Sequence, residues 1–297
     1  MNSQPHRSSP LDSKKAPRLA VLVFVASCIA GCLPSWAQTA QQYQEHIDSV
    51  RSELPEGNFT IRIETPFVVI GDESPEMLKR RCRSIRWAVD RLKDRYFAHD
   101  PDHIINIWLF KDKQSYETNV KELFGEAPGT PYGYYSSRDR ALVMNISTGG
   151  GTLVHEIVHP FIERNFPECP SWFNEGLASL YEQSGELEGK IVGYTNWRLA
   201  GLQRSIQGDA VPTFRELCGT SRREFYDEDR GTNYAQARYL CYYLQQKGKL
   251  HKFYHDFVAN VEEDPSGYTT LSNVLENPDM GEFQQQWQDF VSQLRFN

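Results

Sequence analysis

The first half of the chain shows strand-like apolar runs separated by helical stripes. Residues 59–70 have the composition of a strand, and Gly71 and Asp72 end it. The apolar positions that follow step by four and three residues, the period of a helix with one buried face: Leu78, Cys82, Ile85, Val89, Leu92 and Tyr96. The pattern next predicts a strand at 104–110, a helix at 113–124 that ends at Gly125, and a last strand at 140–146.

The second half of the chain has a helical pattern. Three glycines, 149–151, precede an apolar helix that starts near Thr152, with Thr148 or Thr152 as its predicted cap. A second apolar helix starts at Pro170, with Ser171 as its predicted cap. Further amphipathic helices are predicted at 195–206, 234–246, 250–261 and 282–294. The order of elements predicts an α+β protein, with residues 38–148 forming an α/β part and 149–297 a helical part of the same unit.

The amino terminus has the features of an export signal. Residues 1–18 are polar, and the apolar run 19–30 is too short to span a bilayer. Small residues at Ser35 and Ala37 predict cleavage by a signal peptidase after Ala37. Residues 29–32 also resemble a bacterial lipobox, in which case Cys32 would carry a lipid anchor. The sequence therefore predicts an exported protein, periplasmic or extracellular, with membrane anchoring through Cys32 as the alternative.

The charge of the chain argues against two classes of partner. The formal net charge is −7, and residues 1–37 carry a net +3, so removing them leaves −10. A strongly negative protein is repelled by nucleic acid and by anionic lipid surfaces. We therefore expect no nucleic-acid partner and no membrane contact apart from an anchor at Cys32.

Four cysteines remain after residue 37: Cys82, Cys169, Cys218 and Cys241. In an exported protein this even number allows two disulfides, with three connectivities. However, Cys82 and Cys241 also lie on apolar helical stripes, as buried thiols do. Both interpretations remain open at this stage.

The candidate chemistry lies in the segment 152–178. His155 and His159 are four residues apart, so on a helix both imidazoles face one point. Two neutral imidazoles that converge in this way provide half of a tetrahedral zinc site. Glu156 follows the first histidine and would reach a water molecule at the metal rather than the metal itself, which is the position of a general base.

The pattern His155-Glu156-x-x-His159, followed by Trp172-Phe173-Asn174-Glu175-Gly176-Leu177-Ala178, resembles that of the gluzincin zinc metallopeptidases, in particular the peptidase-MA-like proteins. The resemblance implies one Zn²⁺ per chain, with Glu175 as the third ligand and Glu156 as the base. It also implies that Tyr234 stabilises the oxyanion of the reaction. The implied fold is zincin-like: a mixed sheet with an edge strand over the zinc helix, followed by a mainly helical lobe. The segment 140–146 would be that edge, to which an extended peptide adds as a further strand.

Three features depart from the larger gluzincins. Glu175 follows His159 by only 16 residues, a shorter interval than in the aminopeptidases. Pro160 directly follows His159 and should kink or end the regular helix. The segment 140–146 lacks an acidic residue that would bind the amino terminus of a substrate, which favours an endopeptidase over an aminopeptidase.

The leading hypothesis is therefore an exported zinc endopeptidase that acts on peptides or proteins. The first alternative is a zinc-binding module without proteolytic activity that serves as a binding or scaffold protein of the cell envelope. The second is an exported α/β binding protein in which the motif is accidental. Asn174 is a candidate for fixing the tautomer of a histidine ligand. Tyr132, Tyr134 and Tyr135, in the turn-rich loop 129–135, are candidates for lining the cleft.

Overall fold

A computed structural model of the chain describes residues 38–55, 57–228 and 232–296, which belong to one compact unit. The predicted signal peptide and Cys32 lie outside the described residues. Within the described ranges, no helix combines the length and the apolar character that crossing a bilayer requires.

The strands form a five-stranded mixed sheet and a separate hairpin. In chain order they are β1 (Thr60–Glu64), β2 (Phe67–Gly71), β3 (Ile105–Phe110), β4 (Gly133–Ser136), β5 (Ala141–Asn145), β6 (Ser184–Leu187) and β7 (Lys190–Gly193). The large sheet has the order β1-β2-β3-β5-β4, and β6 pairs with β7. The central pairs β2–β3 and β3–β5 are parallel, whereas the outer pairs β1–β2 and β4–β5 are antiparallel.

Helices flank the sheet and make up most of the chain after it. In chain order they are α1 (Ala40–Glu53), α2 (Pro75–Arg95), α3 (Lys113–Phe124), α4 (Gly151–Asn165), α5 (Ser171–Leu180), α6 (Leu199–Gln207), α7 (Phe214–Cys218), α8 (Arg222–Tyr226), α9 (Thr232–Gln246), α10 (Leu250–Asn260), α11 (Tyr268–Leu275) and α12 (Met280–Gln293). The α+β class with a mixed sheet and a helical lobe is therefore confirmed.

Both faces of the sheet are covered, so successive residues of a central strand enter different cores. Val68 and Ile70 of β2 pack with residues of α1 and α3 in one core. Phe67 and Val69 of the same strand pack with α2 and α4 in the other core, which continues through α5 and α9 into the helical lobe. Burial on both faces explains why the segment reads as a continuous apolar run.

The structure corrects the predicted sheet edge. The segment predicted as the edge, 140–146, contains β5, which lies between β3 and β4. The edge strand next to α4 is instead β4, and three of its four residues lie in the segment 129–135, which the sequence predicts to be a turn-rich loop. The segment 59–70 is also not one strand, because Thr65 and Pro66 turn the chain between β1 and β2.

The ends of the two site-bearing helices differ from their predictions. Gly150 is the N-cap of α4 and Pro170 that of α5, and neither helix has a side-chain cap. Helix α4 also continues through Pro160 to Asn165, so the alternative in which the helix ends at the proline is wrong. Proline lacks one N–H donor, and the remaining backbone bonds with buried side chains on both sides sustain the helix.

Helix α9 packs closely against α5 and so joins the helical lobe to the site-bearing helices. A β-carbon on Gly176 of α5 would lie 2.9 Å from the carbonyl oxygen of Ala237 in α9, so only glycine allows this close approach. The fully buried Arg238 of α9 donates to the carbonyls of Ser179 and Leu180 at the end of α5, and to the carbonyl of Tyr194. The cation therefore binds carbonyls at the negative end of the α5 dipole.

All four cysteines of the described chain are free thiols. Cys82, Cys218 and Cys241 are buried, and Cys169 is half-buried. The interpretation of Cys82 and Cys241 as buried thiols is confirmed, and no disulfide joins any two of the four cysteines.

Candidate metal centre

Two neighbouring helices bring three ligand-type side chains together. His155 and His159 lie on one face of α4, and Glu175 lies on α5, which packs against it. One ligand atom from each of the three lies within 4.8 Å of the other two. Nε2 of His155 is 3.3 Å from Oε2 of Glu175, and Nε2 of His159 is 4.0 Å from Oε1 of Glu175. The structure thus forms a buried cluster that could hold a metal ion.

The donor set of this cluster and the spacing of its closest pair of ligand atoms fit zinc. Two imidazole nitrogens and one carboxylate are a common three-residue set for a zinc site with an open fourth position. Ligand atoms at zinc-bond lengths and tetrahedral angles lie about 3.4 Å apart, close to the separation of His155 and Glu175. Oε2 of Glu175 is buried and has no hydrogen bond of good geometry within the described residues, so this oxygen is left for another partner.

Outer hydrogen bonds orient two of the three side chains. Nδ1 of His159 lies 2.9 Å from Oδ1 of Asn174, and because an amide oxygen only accepts, the histidine donates from Nδ1. This bond leaves Nε2 of His159 with its lone pair facing the cluster, so the structure supports Asn174 as the tautomer-fixing partner. The hydroxyl of Tyr226 donates to Oε1 of Glu175 at 2.7 Å.

Glu182 lies beside Nδ1 of His155, as Asn174 lies beside Nδ1 of His159. Its Oε1 is 3.3 Å from Nδ1 of His155, and it also forms two hydrogen bonds with Arg198 at 2.7 and 3.2 Å. Sequence reasoning missed Glu182 and Arg198 because neither belongs to a short motif. Helical periodicity did not mark Glu182 either, because α5 ends at Leu180 and Glu182 lies in the turn that follows.

Glu182 is held close to α4 by a backbone contact. A β-carbon on Gly151 would lie 2.2 Å from the carbonyl oxygen of Glu182, so the first residue of α4 has to be glycine for the two segments to meet. Gly149 has φ +116°, a conformation that L side chains rarely adopt, and turns the chain from β5 into α4. The glycine run therefore has a specific structural role at this site.

The charges in the cluster are mutually stabilised. Although burial lowers the pKa of His155, contacts with Glu175 and Glu182 raise it well above its usual value. Burial raises the pKa of Glu175, but His159, His155 and the Tyr226 hydroxyl outweigh it and lower the pKa to about 2. Burial likewise opposes ionisation of Glu182, yet His155 and Arg198 lower its pKa to about 2. Both carboxylates are therefore ionised at neutral pH.

Glu156 lies beside the cluster but is not one of the three residues that form it. Its side chain is buried, and its Oε2 is 3.7 Å from Nε2 of His159. The carboxylate is thus placed to accept a proton from a small molecule at the cluster.

The cluster opens into a cleft of about 1200 Å³. On one side lies β4, where the Tyr135 ring stacks on His159 with centroids 6.4 Å apart, and its hydroxyl donates to Oε2 of Glu163 at 2.6 Å. Tyr132 and Tyr134 also line the cleft, as the sequence predicted. The cleft wall contributed by the helical lobe carries Trp197, Arg198, Arg222, Tyr226 and Tyr234.

Tyr226 and Tyr234 form part of that wall, with ring centroids 6.1 Å apart. Burial and the charge of Glu175 raise the pKa of both hydroxyls above the usual value, so both remain protonated donors at neutral pH. The structure thus brings the predicted Tyr234 to the cleft together with Tyr226, which sequence reasoning did not identify.

No family model matches this chain, and no curated protein matches it either.

Proposed function

We propose that this chain is an exported zinc metallopeptidase with a zincin-like fold that hydrolyses internal peptide bonds. The observation that carries the proposal is the buried His155, His159 and Glu175 cluster with the Glu156 carboxylate beside it. A site that only bound a metal would need the three ligands alone, whereas a buried glutamate next to them provides a base for hydrolysis.

His155, His159 and Glu175 would hold the zinc, one ion per chain. Zinc, when bound, supplies a Lewis acid that lowers the pKa of a water molecule and polarises a carbonyl group. Asn174, Glu182 and Tyr226 keep the three ligands in their orientations through the contacts described above.

The chain's own groups carry the proton and stabilise charge. Glu156 accepts the proton of the attacking water and then delivers it to the leaving amine, so a single carboxylate serves as base and acid in turn. Tyr234, which lines the cleft, donates a hydrogen bond to the carbonyl oxygen as negative charge develops there. The Tyr226 hydroxyl already donates its one proton to Glu175, so its role is to hold the ligand.

The edge strand suggests how a peptide binds. Among the described residues, strand β4 pairs only with β5, so its other side offers free backbone donors and acceptors along the cleft. An extended peptide can add there as a further strand. Neither β4 nor β5 contains an acidic residue that would bind a free amino terminus, which favours cleavage within a chain.

Digestion of an unfolded protein tests this proposal. We expect the purified zinc-loaded protein to release peptides whose two ends are both internal to the substrate, and we expect a chelator to stop the cleavage and added zinc to restore it. One zinc per chain without cleavage would instead favour the non-proteolytic binding module. No stoichiometric metal would mean that the motif is accidental.

A further inference from the structure

Two arginines and three aromatic rings form a continuous row along the cleft wall contributed by the helical lobe. The guanidinium carbon of Arg198 lies 4.2 Å from the ring centroid of Trp197 and 5.5 Å from that of Tyr234. The Tyr234 and Tyr226 centroids are 6.1 Å apart, and the guanidinium carbon of Arg222 lies 5.0 Å from the Tyr226 centroid. We call these five residues the cation–aromatic row.

The two arginines of the row differ in how their charge is balanced. Arg198 is half-buried and donates two hydrogen bonds to the carboxylate of Glu182, so its charge is neutralised inside the protein. Arg222 is exposed, and within the described residues it forms no ion pair with a carboxylate. Its neighbour Arg223, by contrast, is paired with Glu228 and does not line the cleft. Arg222 is therefore an unneutralised cation that faces the cleft.

Arg222 is also held close to the metal cluster. The Tyr226 ring on which it stacks donates its hydroxyl to Glu175, so one aromatic side chain separates the guanidinium from a ligand-type residue. Stacking on an aromatic face restricts a guanidinium and leaves its edge donors free. These donors form a planar fork that matches the two oxygens of a carboxylate.

We propose that Arg222 binds a carboxylate of the peptide that occupies the cleft. The carboxylate has two sources, an aspartate or glutamate side chain within the peptide or the free carboxyl terminus of a short peptide. This proposal rests on the proposed peptidase function, because it assigns a subsite to the same cleft. It makes Arg222 a specificity-determining residue that contacts the substrate and takes no part in proton transfer.

Binding to the zinc-loaded Glu156→Gln protein provides the test, since binding can be measured without turnover. The probes are four fluorescent peptides of the same length, which form two pairs. In the first pair both peptides have an amidated carboxyl terminus, and one interior position is glutamate in one peptide and glutamine in the other. In the second pair both peptides have neutral side chains, and the carboxyl terminus is free in one peptide and amidated in the other. We expect the peptide that carries the recognised carboxylate to bind about fivefold more tightly than its neutral partner. An exposed ion pair contributes a gain in affinity of about this size. Arg222→Gln should remove this preference, and the matched control Arg223→Gln should keep it.

Each outcome decides the proposal. A preference for interior glutamate identifies a side chain as the source, and a preference for the free end identifies the terminal carboxylate. Equal binding of all four peptides, binding of none, or a preference that survives Arg222→Gln would overturn the proposal. Cleavage of neutral peptides by the wild-type protein would still support the peptidase function, so the two proposals fail separately.

Discussion

The hydroxyl of Tyr226 donates a hydrogen bond to Oε1 of Glu175 at 2.7 Å, which links the helical lobe to the third ligand-type residue. Glu175 is buried, and burial alone would favour its protonated form. His159 and His155, together with the tyrosine hydroxyl, outweigh that effect, lower the pKa of Glu175 and keep the carboxylate charged. The α8 segment is therefore part of the site rather than a distant support.

Removing this hydroxyl should weaken zinc binding. We expect Tyr226→Phe to lower the zinc affinity about tenfold, because outer hydrogen bonds orient and polarise a metal ligand. A competition titration with a chromophoric chelator measures the change. Tyr234→Phe is the matched variant: it should leave zinc affinity unchanged and lower kcat about a hundredfold through loss of an oxyanion donor. Equal zinc affinities for wild type and Tyr226→Phe would contradict the role given to Tyr226.

Glu182→Gln should also weaken zinc binding, because Oε1 of Glu182 lies beside Nδ1 of His155. We expect a loss of about tenfold to a hundredfold in affinity, measured by the same titration. Glu186 provides the control: it is also paired with an arginine, Arg91, but lies on the β6–β7 hairpin outside the cleft. If Glu186→Gln and Glu182→Gln reduced the affinity equally, the effect would not be specific to His155.

Gly151→Ala should distort the start of the histidine-bearing helix. Its β-carbon would meet the carbonyl oxygen of Glu182 at 2.2 Å, and backbone cannot yield as a flexible side chain does. We expect destabilisation of about 3 kcal/mol in urea unfolding, at the upper end for overpacking. Gly150→Ala, with nothing within 4 Å of the added carbon and φ of −81°, should change stability by less than about 0.5 kcal/mol. Similar losses in the two variants would refute the close-approach explanation.

Removing the metal should lower thermal stability. A ligand at a hundred times its dissociation constant adds about 2.7 kcal/mol to the free energy of unfolding if it binds the folded state alone. For a chain of this size we expect the chelator to lower Tm by about 5–10 °C. The Glu175→Gln variant should show little chelator-dependent change, since it lacks one ligand. An unchanged Tm of the wild-type protein after chelation would argue against a zinc site in the folded state.

The elements that the sequence predicted well are those with strong local signals. Helix α3 has the predicted bounds because Asp112 caps its start and Gly125, at φ +83°, ends it. The stripe from Leu78 to Leu92 is buried in α2 because the apolar spacing matches the helical period. His155 and His159 face the same cluster for a similar reason, since a four-residue interval fixes their relation on one helix.

Features that depend on contacts distant in sequence were not predicted. Strand β4 has only four residues, two of them tyrosines, and its strand character comes from pairing with β5. Pro66 was the local sign that 59–70 contains a turn, because proline is disfavoured inside a strand. The pairing of Arg198 with Glu182 brings together residues 16 positions apart after α5, and no motif spacing marks it.

The most direct test of the metallopeptidase account compares wild type with Glu156→Gln at equal zinc content. The substitution keeps the size of the side chain and the three ligands but removes the base. We predict that both proteins bind one zinc per chain and that the variant cleaves an unfolded protein substrate with a kcat about a hundredfold or more below that of the wild type. Equal cleavage by both proteins, or zinc-loaded wild type that cleaves nothing, would contradict the account.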